Sequence, residues 1–411
     1  MRGIVWLTVL FAAAVVAALT LGRNDGLVSL FWGGWRADLS LNLFLLLLLG
    51  SCLLVFLALH ALRGVLALPA KARAWRAEQR ERSAQQLLRE ALMLLWGGRY
   101  GRAQAAVQRL QALRPGALGQ KAEPGAATLA HLLGAEAAHR LQDRAQRQLQ
   151  WEAAWAGAQA GDERDAVRLQ AVAWAIDDRD AERALALLAE LPQGTARRTL
   201  GLRLRLHAAR LGGQPLEALR AARLLGKHQG FAPGVAQSLI RSLAMELLGA
   251  ARDADQLRQA WSQLEAAERR DAFVVAWAAE RFAQWGETAE ARLCLRPLWD
   301  EAAQRSEDER RAIALALLRS LPGLGADWLP RLQAAQQACP RDAHLQLVMA
   351  HALAELQLWG KSLQLMRDVA EDSRLAANWR RRSWLRLAQL HAQSGDEVAR
   401  IEALEAAARA D

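Results

Sequence analysis

Eight histidines, three cysteines and a few acid pairs are the residues of this 411-residue chain with the chemistry for catalysis or metal binding. Their spacing supports neither. No HExxH, P-loop, GxSxG or DxDxDG-type loop occurs. Cys52, Cys294 and Cys339 lie far apart with no CxxC pair, which excludes a zinc knuckle and a disulfide framework. Asp177-Asp178 and Asp308-Glu309 fall at predicted helix ends or turns, where capping and solvation account for carboxylates. No catalytic residue and no metal site is therefore expected, and the chain reads as a non-enzyme. What remains is recognition chemistry. Arg203, His207 and Arg210, spaced by four and then three residues, share one helix face and suit a carboxylate-bearing ligand or an acidic peptide. A solvated basic face is the competing reading. The same register places Glu136 and His139, His344 and His351, and Arg382 at equivalent groove positions of other helices. His344 and His351 stand about 10 Å apart along a helix, too far to share one metal.

The elements that must position these side chains are helices. From about Ser83 onward Ala, Leu, Arg, Gln and Glu dominate, with apolar residues at helical spacing. A turn signature recurs: Gly98-Arg99-Tyr100-Gly101-Arg102-Ala103, followed by Val107, Leu110 and Pro115. Related forms occur at Arg179 to Ala184, Gly213 to Ala218, Gly286 to Ala291 and Leu358 to Ser362. This is the spacing of the tetratricopeptide repeat (TPR): a helix stop, a small residue where two helices cross, and a closing proline. Arg179 and Gly213 are 34 residues apart, the ideal period. The expected fold is all-α, a TPR-like α-solenoid of about nine helical hairpins over 84–411. Its degenerate members fall near 128–161, 233–270 and 306–340, and a loop at 115–125. Stacked hairpins leave a groove that usually holds a peptide or another protein. Pro340 falls where a repeat closes, so Cys339 is simply the residue before it. Most of the 16 Trp, among them Trp151, Trp174, Trp277, Trp285, Trp299, Trp359 and Trp384, sit in apolar helical patterns or turns and read as packing.

The N-terminal part is different. Ile4 to Leu21 contains no charge, and the gap from Asp38 to Arg63 contains LNLFLLLLLGSCLLVFLALHAL. Each run is close to the ~20 apolar residues that cross a bilayer as a helix. The expectation is an anchor over 1–62, with transmembrane helices at about 4–21 and 41–62 and a short external loop at 22–40. A basic juxtamembrane segment, 63–83, follows. Arg63, Lys71, Arg73, Arg76, Arg80 and Arg82 after the second run set a cytoplasmic C-terminus by the positive-inside rule, and Arg2 the same for the N-terminus. In the loop, Leu27–Trp32 and Trp35–Ser40 flank Gly33-Gly34, a two-residue hairpin signal, with Trp32 and Trp35 suited to a membrane interface. Residues 1–83 hold nine Lys and Arg against four acids, half of the formal net charge of +10. The rest is spread over the repeats, so no nucleic acid is expected as a partner.

Two apolar runs, a short loop ending RADLSLNLFLLLLL, a basic stretch and a helical repeat region together resemble the HemY-type, heme-biosynthesis-associated inner-membrane TPR proteins of proteobacteria. The residues that carry the resemblance are Asn24, Asp25, Gly26, Val28, Gly34, Trp35, Arg36, Ser40 and Leu41 through Phe44, and Leu27 stands where a Tyr is usual. A flavin-dependent porphyrinogen oxidase shares the family name, but it needs a GxGxxG fingerprint, which is absent here. The resemblance implies a multi-pass protein of the bacterial inner membrane with both termini cytoplasmic. It also implies a scaffold or adapter role in late heme biosynthesis, through protein–protein contacts with late heme-biosynthesis enzymes. No cofactor is expected as resident; direct heme or porphyrin binding by a carrier or sensor is the alternative. An envelope-assembly adaptor ranks below both.

Overall fold

Ser40 ends one element and starts the next, and that junction organises the N-terminal part of the molecule. The computed structural model describes residues 26–113 and 125–410. The expected first span, 4–21, lies outside them, as does most of the expected 115–125 loop. Strands β1 (Leu27–Trp32) and β2 (Trp35–Ser40) pair antiparallel, with Trp32 opposite Trp35 beside the turn. Gly33 and Gly34 have φ of 57° and 88°. Positive φ at both turn residues is what a type I′ two-residue loop needs, and glycine supplies it without strain. The Ser40 hydroxyl then accepts from the Leu43 N–H at 3.4 Å and caps α1 (Leu41–Trp96). The Leu41 N–H also donates to the Gly26 carbonyl at 2.8 Å, tying both strand roots to the helix start.

Helix α1 has 56 residues and so is about 84 Å long. Its first 22, Leu41–Leu62, are long and apolar enough to cross a membrane, and none of that stretch is buried inside the protein. Among the described residues this is the single helix with that property. The expected juxtamembrane segment, 63–83, continues the same helix toward α2. From Ala84 onward one face is buried. Ala84, Ala91 and Leu95 pack with Ala103, Ala106, Val107 and Leu110 of α2 (Tyr100–Ala112) and with Ala130, Leu133 and Ala137 of α3 (Ala126–Arg140). Helix α4 (Arg144–Gly157) packs on α3 and completes this part of the chain. The chain divides into two compact units between Gly157 and Ala158.

The second unit is helical throughout. In order it contains α5 (Asp162–Asp177), α6 (Ala181–Ala189), the short α7 (Gln193–Ala196), α8 (Thr199–Leu211), α9 (Pro215–Lys227), α10 (Pro233–Gly249), α11 (Ala254–Ser262) and α12 (Ala272–Gln284). Then come α13 (Thr288–Asp300), α14 (Glu307–Arg319), α15 (Leu329–Ala338), α16 (Ala343–Glu355), α17 (Trp359–Glu371), α18 (Ala377–Ser394) and α19 (Glu397–Arg409). Alternate helices form a row, each member touching the next: α10, α12, α14, α16 and α18. One continuous core runs from Leu202 to Ala403.

The turns between paired helices share one hydrogen-bond pattern. A residue with left-handed φ follows the helix, and the next N–H reaches back five residues, as in Arg99 to Leu94, Asp180 to Ala175, Gln214 to Ala209, Glu287 to Phe282 and Leu358 to Leu353. This is the Schellman cap, which satisfies carbonyls otherwise left without partners. The small residue that follows each turn is buried: Ala103, Ala184, Ala218, Ala291 and Ser362 are all at most 1% exposed. Any larger side chain there would hold the two helices apart.

Arginines stitch each helix pair to the one after it. Arg241 on α10 donates to Asp271 at 2.8 Å, and Arg310 on α14 donates to Asp342 at 2.8 Å. Asp271 and Asp342 are the N-caps of α12 and α16, so each carboxylate both starts its own helix and grips the preceding row member. Arg281 reaches the Ala251 carbonyl, and Arg292 reaches the carbonyls of Ser320, Pro322 and Gly323. Their sequence separations, 28 to 32 residues, are about one repeat. Much of the chain's arginine content is therefore structural.

Candidate functional site

The expected groove residues do not form one cluster. Arg203, His207 and Arg210 do share an exposed face of α8. Arg203 is already engaged: it donates to the Gly230 carbonyl at 2.9 Å and lies over the Phe231 ring at 5.8 Å. Helix α8 packs on α5, α6 and α9, whereas α16, which carries His344 and His351, packs on α14, α15, α17 and α18. The trio is thus not part of one cluster with the histidines.

His351 is not a groove residue. It is 7% exposed and lies between α16 and α18, with Nε2 3.2 Å from the Ser383 hydroxyl. That hydroxyl donates its one hydrogen to the Trp379 carbonyl at 3.0 Å, so Nε2–H is the donor to Ser383 and the ring is neutral. Burial pushes its pKa down to about 3, and the positive Arg382 and Arg386 add to the shift. The register failed here because the next row helix covers the position assigned to the groove. His139 is also buried and sits 2.7 Å from the Arg147 guanidinium, while Glu136 pairs with Arg140.

His344 lines a cavity of about 460 Å³ with Glu307, Arg310, Cys339, Arg341, Asp342 and Arg374. Its ring is 3.9 Å from Asp342, and burial holds its pKa below the usual value. His344, Cys339, Asp342 and Glu307 are potential metal ligands, but the walls are largely charged and two of the arginines are engaged in ion pairs. Arg310 binds Asp342, and Arg374 binds Asp372 at 2.7 Å. A tetrapyrrole needs an apolar slot with a few placed polar groups, so this cavity does not fit one. Among the described residues no group of three His, Cys, Asp or Glu is placed to hold a metal ion. The Cys294 thiol is pushed up to about 11 by burial, which keeps it unreactive.

Arg382 is where the row helices converge in charge. Its guanidinium lies over Trp379 at 5.5 Å and has no carboxylate partner among the described residues. Desolvation first, then the charges of Arg319 and Arg386, hold its pKa below the ordinary guanidinium value. Arg319 on α14 reaches Glu280 at 3.6 Å, and Arg386 on α18 reaches Glu355 at 3.6 Å. The three arginines come from two helices more than 50 residues apart in sequence, so spacing alone gave no sign of Arg319 and Arg386. Leu385 beside them is 42% exposed, and Trp277 on the same row is 36% exposed. Trp277 and Trp359 are thus partly open to solvent and not wholly packing residues, whereas Trp174 and Trp299 are buried as expected. The arrangement offers cationic hydrogen-bond donors next to apolar surface, suited to a carboxylate on an amphipathic partner.

By class this is an all-helical protein carrying a short β-hairpin and one described helix apolar enough to enter a bilayer. The family model described as "HemY protein N-terminus" matches residues 26–142, which cover the hairpin and α1 through α3. Over these residues the chain is similar to the HemY N-terminal region, which links it to heme-biosynthesis-associated proteins, and the matched stretch includes the helix start that is apolar enough to cross a membrane. No curated protein matches the chain.

Proposed function

We propose that the chain is a membrane-anchored scaffold of the bacterial inner membrane, with two spans (about 4–21 and 41–62) and both termini cytoplasmic. Its paired helices form a TPR-like solenoid of about nine hairpins that gathers partner proteins, late heme-biosynthesis enzymes among them. The hydrogen bonds that recur at about one repeat length and the shared Schellman turns support the repeat reading. The observation that carries the recognition reading is the convergence of Arg319, Arg382 and Arg386 beside exposed Leu385, with one of the three guanidinia lacking a carboxylate. An acidic, amphipathic segment of a partner fits this spot.

The test is in-cell photo-crosslinking from a probe at Leu385 in the full-length chain. Recovery of a late heme-biosynthesis enzyme, lost in the Arg319→Glu plus Arg382→Glu variant with unchanged helicity, is the expected result. Recovery of no such enzyme removes the pathway role. Unchanged capture by the variant removes the arginines, and a parallel loss with Arg203→Glu plus Arg210→Glu would move the site to α8. A porphyrin absorbance shift on titrating the full-length chain would favour the carrier reading instead.

A further inference from the structure

The β-hairpin segregates its side chains by face. Residues opposite one another on paired strands point to the same side. The register pairs Val28 with Leu39, Leu30 with Ala37, and Trp32 with Trp35. These six make one face, and every one is apolar. The other face carries Ser29 with Asp38, Phe31 with Arg36, and Leu27 with Ser40. On that face the Ser29 hydroxyl donates to Asp38 at 2.5 Å, and Arg36 donates to Asp38 at 3.1 Å. Arg36 also lies over the Phe31 ring at 5.7 Å. The polar groups of that face thus satisfy one another, while Leu27 and Phe31 at its ends stay 72% and 75% exposed. The apolar face is uncovered: Leu30 is 47% exposed, Trp32 87% and Trp35 83%. A lone two-stranded hairpin is marginal in water and needs a hydrophobic face to rest on.

The hairpin root fixes what that surface is. Ser40 is both the last residue of β2 and the cap of α1, and the Leu41 N–H bonds Gly26. The apolar stretch Leu41–Leu62 begins at that same junction. Both strands therefore leave from the edge of the hydrocarbon layer, the depth at which tryptophan rings are at home. We infer that the hairpin lies flat on the outer bilayer surface. Val28, Leu30, Trp32, Trp35, Ala37 and Leu39 rest on the lipid, and Asp38, Ser29 and Arg36 face water. The inference rests on the reading of Leu41–Leu62 as a membrane span. It makes the hairpin an interfacial anchor that fixes the depth of α1, with the two tryptophans at the end farthest from the helix.

Spin labels on the full-length chain in phosphatidylcholine–phosphatidylglycerol vesicles test this. Cys52, Cys294 and Cys339 are first replaced by alanine, and circular dichroism checks that helicity is kept. Labels are placed at Leu30→Cys and Ala37→Cys on the apolar face, at Phe31→Cys and Ser40→Cys on the other, and at Leu53→Cys within the span. The expected result is alternation. Labels at 30 and 37 are relaxed by oxygen dissolved in the lipid and lose collisions with a water-soluble nickel chelate; labels at 31 and 40 show the reverse. Equal nickel access at 30 and 31 overturns the inference, because the hairpin then stands clear of the lipid. Exclusion of both agents at 30 and 37 also overturns it, because protein then covers the face. The label at 53 separates the two readings. Oxygen access without nickel access there keeps the span whatever the hairpin does, and nickel access there defeats the span itself.

Discussion

His351 shows how a residue chosen for ligand chemistry can serve packing instead, and its burial makes a pH prediction. Its folded pKa, about 3, is below the ordinary value of 6.5. A depressed folded pKa means that the unfolded chain binds the proton more readily, so its stabilisation is complete above pH 6.5 and is lost as pH falls toward 3. The expected slope is about 1.4 kcal/mol per pH unit below 6.5, and His344, shifted the same way, adds to it. Thermal melts at pH 7.5 and pH 5.5 read the loss, and His351→Gln, which keeps a donor for Ser383, flattens it. A second residue-scale test concerns Arg223, whose Nη2 donates to Glu268 at 2.5 Å; Glu268 is 5% exposed. Arg223→Ala leaves that carboxylate buried without its cation and costs about 3–5 kcal/mol. Adding Glu268→Gln recovers a large part of the loss, measured as the melting temperature of the double variant.

At the scale of elements, the turn chemistry explains what the sequence disclosed and what it hid. Where glycine occupies the left-handed turn position, as at Gly98, Gly213 and Gly286, the repeat was legible as a motif. The same position is held by Gln142, Arg179 and Gln357, with φ of 62°, 60° and 59°. The backbone there is identical in kind; at Arg179 and Gln357 the residues that follow still carried the signature, whereas at Gln142 nothing did, and the hairpin near 128–161 read as degenerate. Left-handed φ costs a non-glycine residue about 1 kcal/mol. Gln357→Gly is accordingly expected to raise stability by somewhat less than that, after the entropy glycine gives up, as chemical denaturation of the full chain would register. The apolar run Leu41–Leu62, the hairpin and the helical content were readable because they rest on local pattern. Gly201 was not: a Cβ there would stand 2.8 Å from the Thr195 carbonyl oxygen, a contact created only when α7 folds back on α8. The Arg319–Arg382 convergence was hidden for the same reason, since it exists only between stacked helices.

At the scale of the molecule, the uninterrupted α1 has a consequence for rotational phase. Because one helix runs from Leu41 to Trp96, the proposed span at Leu41–Leu62 would set the face of the first helix pair in azimuth about the bilayer normal by a count of residues. Each residue added between Ala77 and Ser83 turns everything after it by about 100° and lifts it about 1.5 Å. Given the partner capture proposed above, one inserted alanine should therefore swing the first hairpin away from the captured protein and weaken crosslinking to it in cells. Seven inserted alanines, close to two whole turns, should restore the heading while raising the hairpin by about 10 Å. A capture yield that follows the turn and not the added length would show the helix acting as a keyed shaft, with its bearing on the membrane chosen one residue at a time.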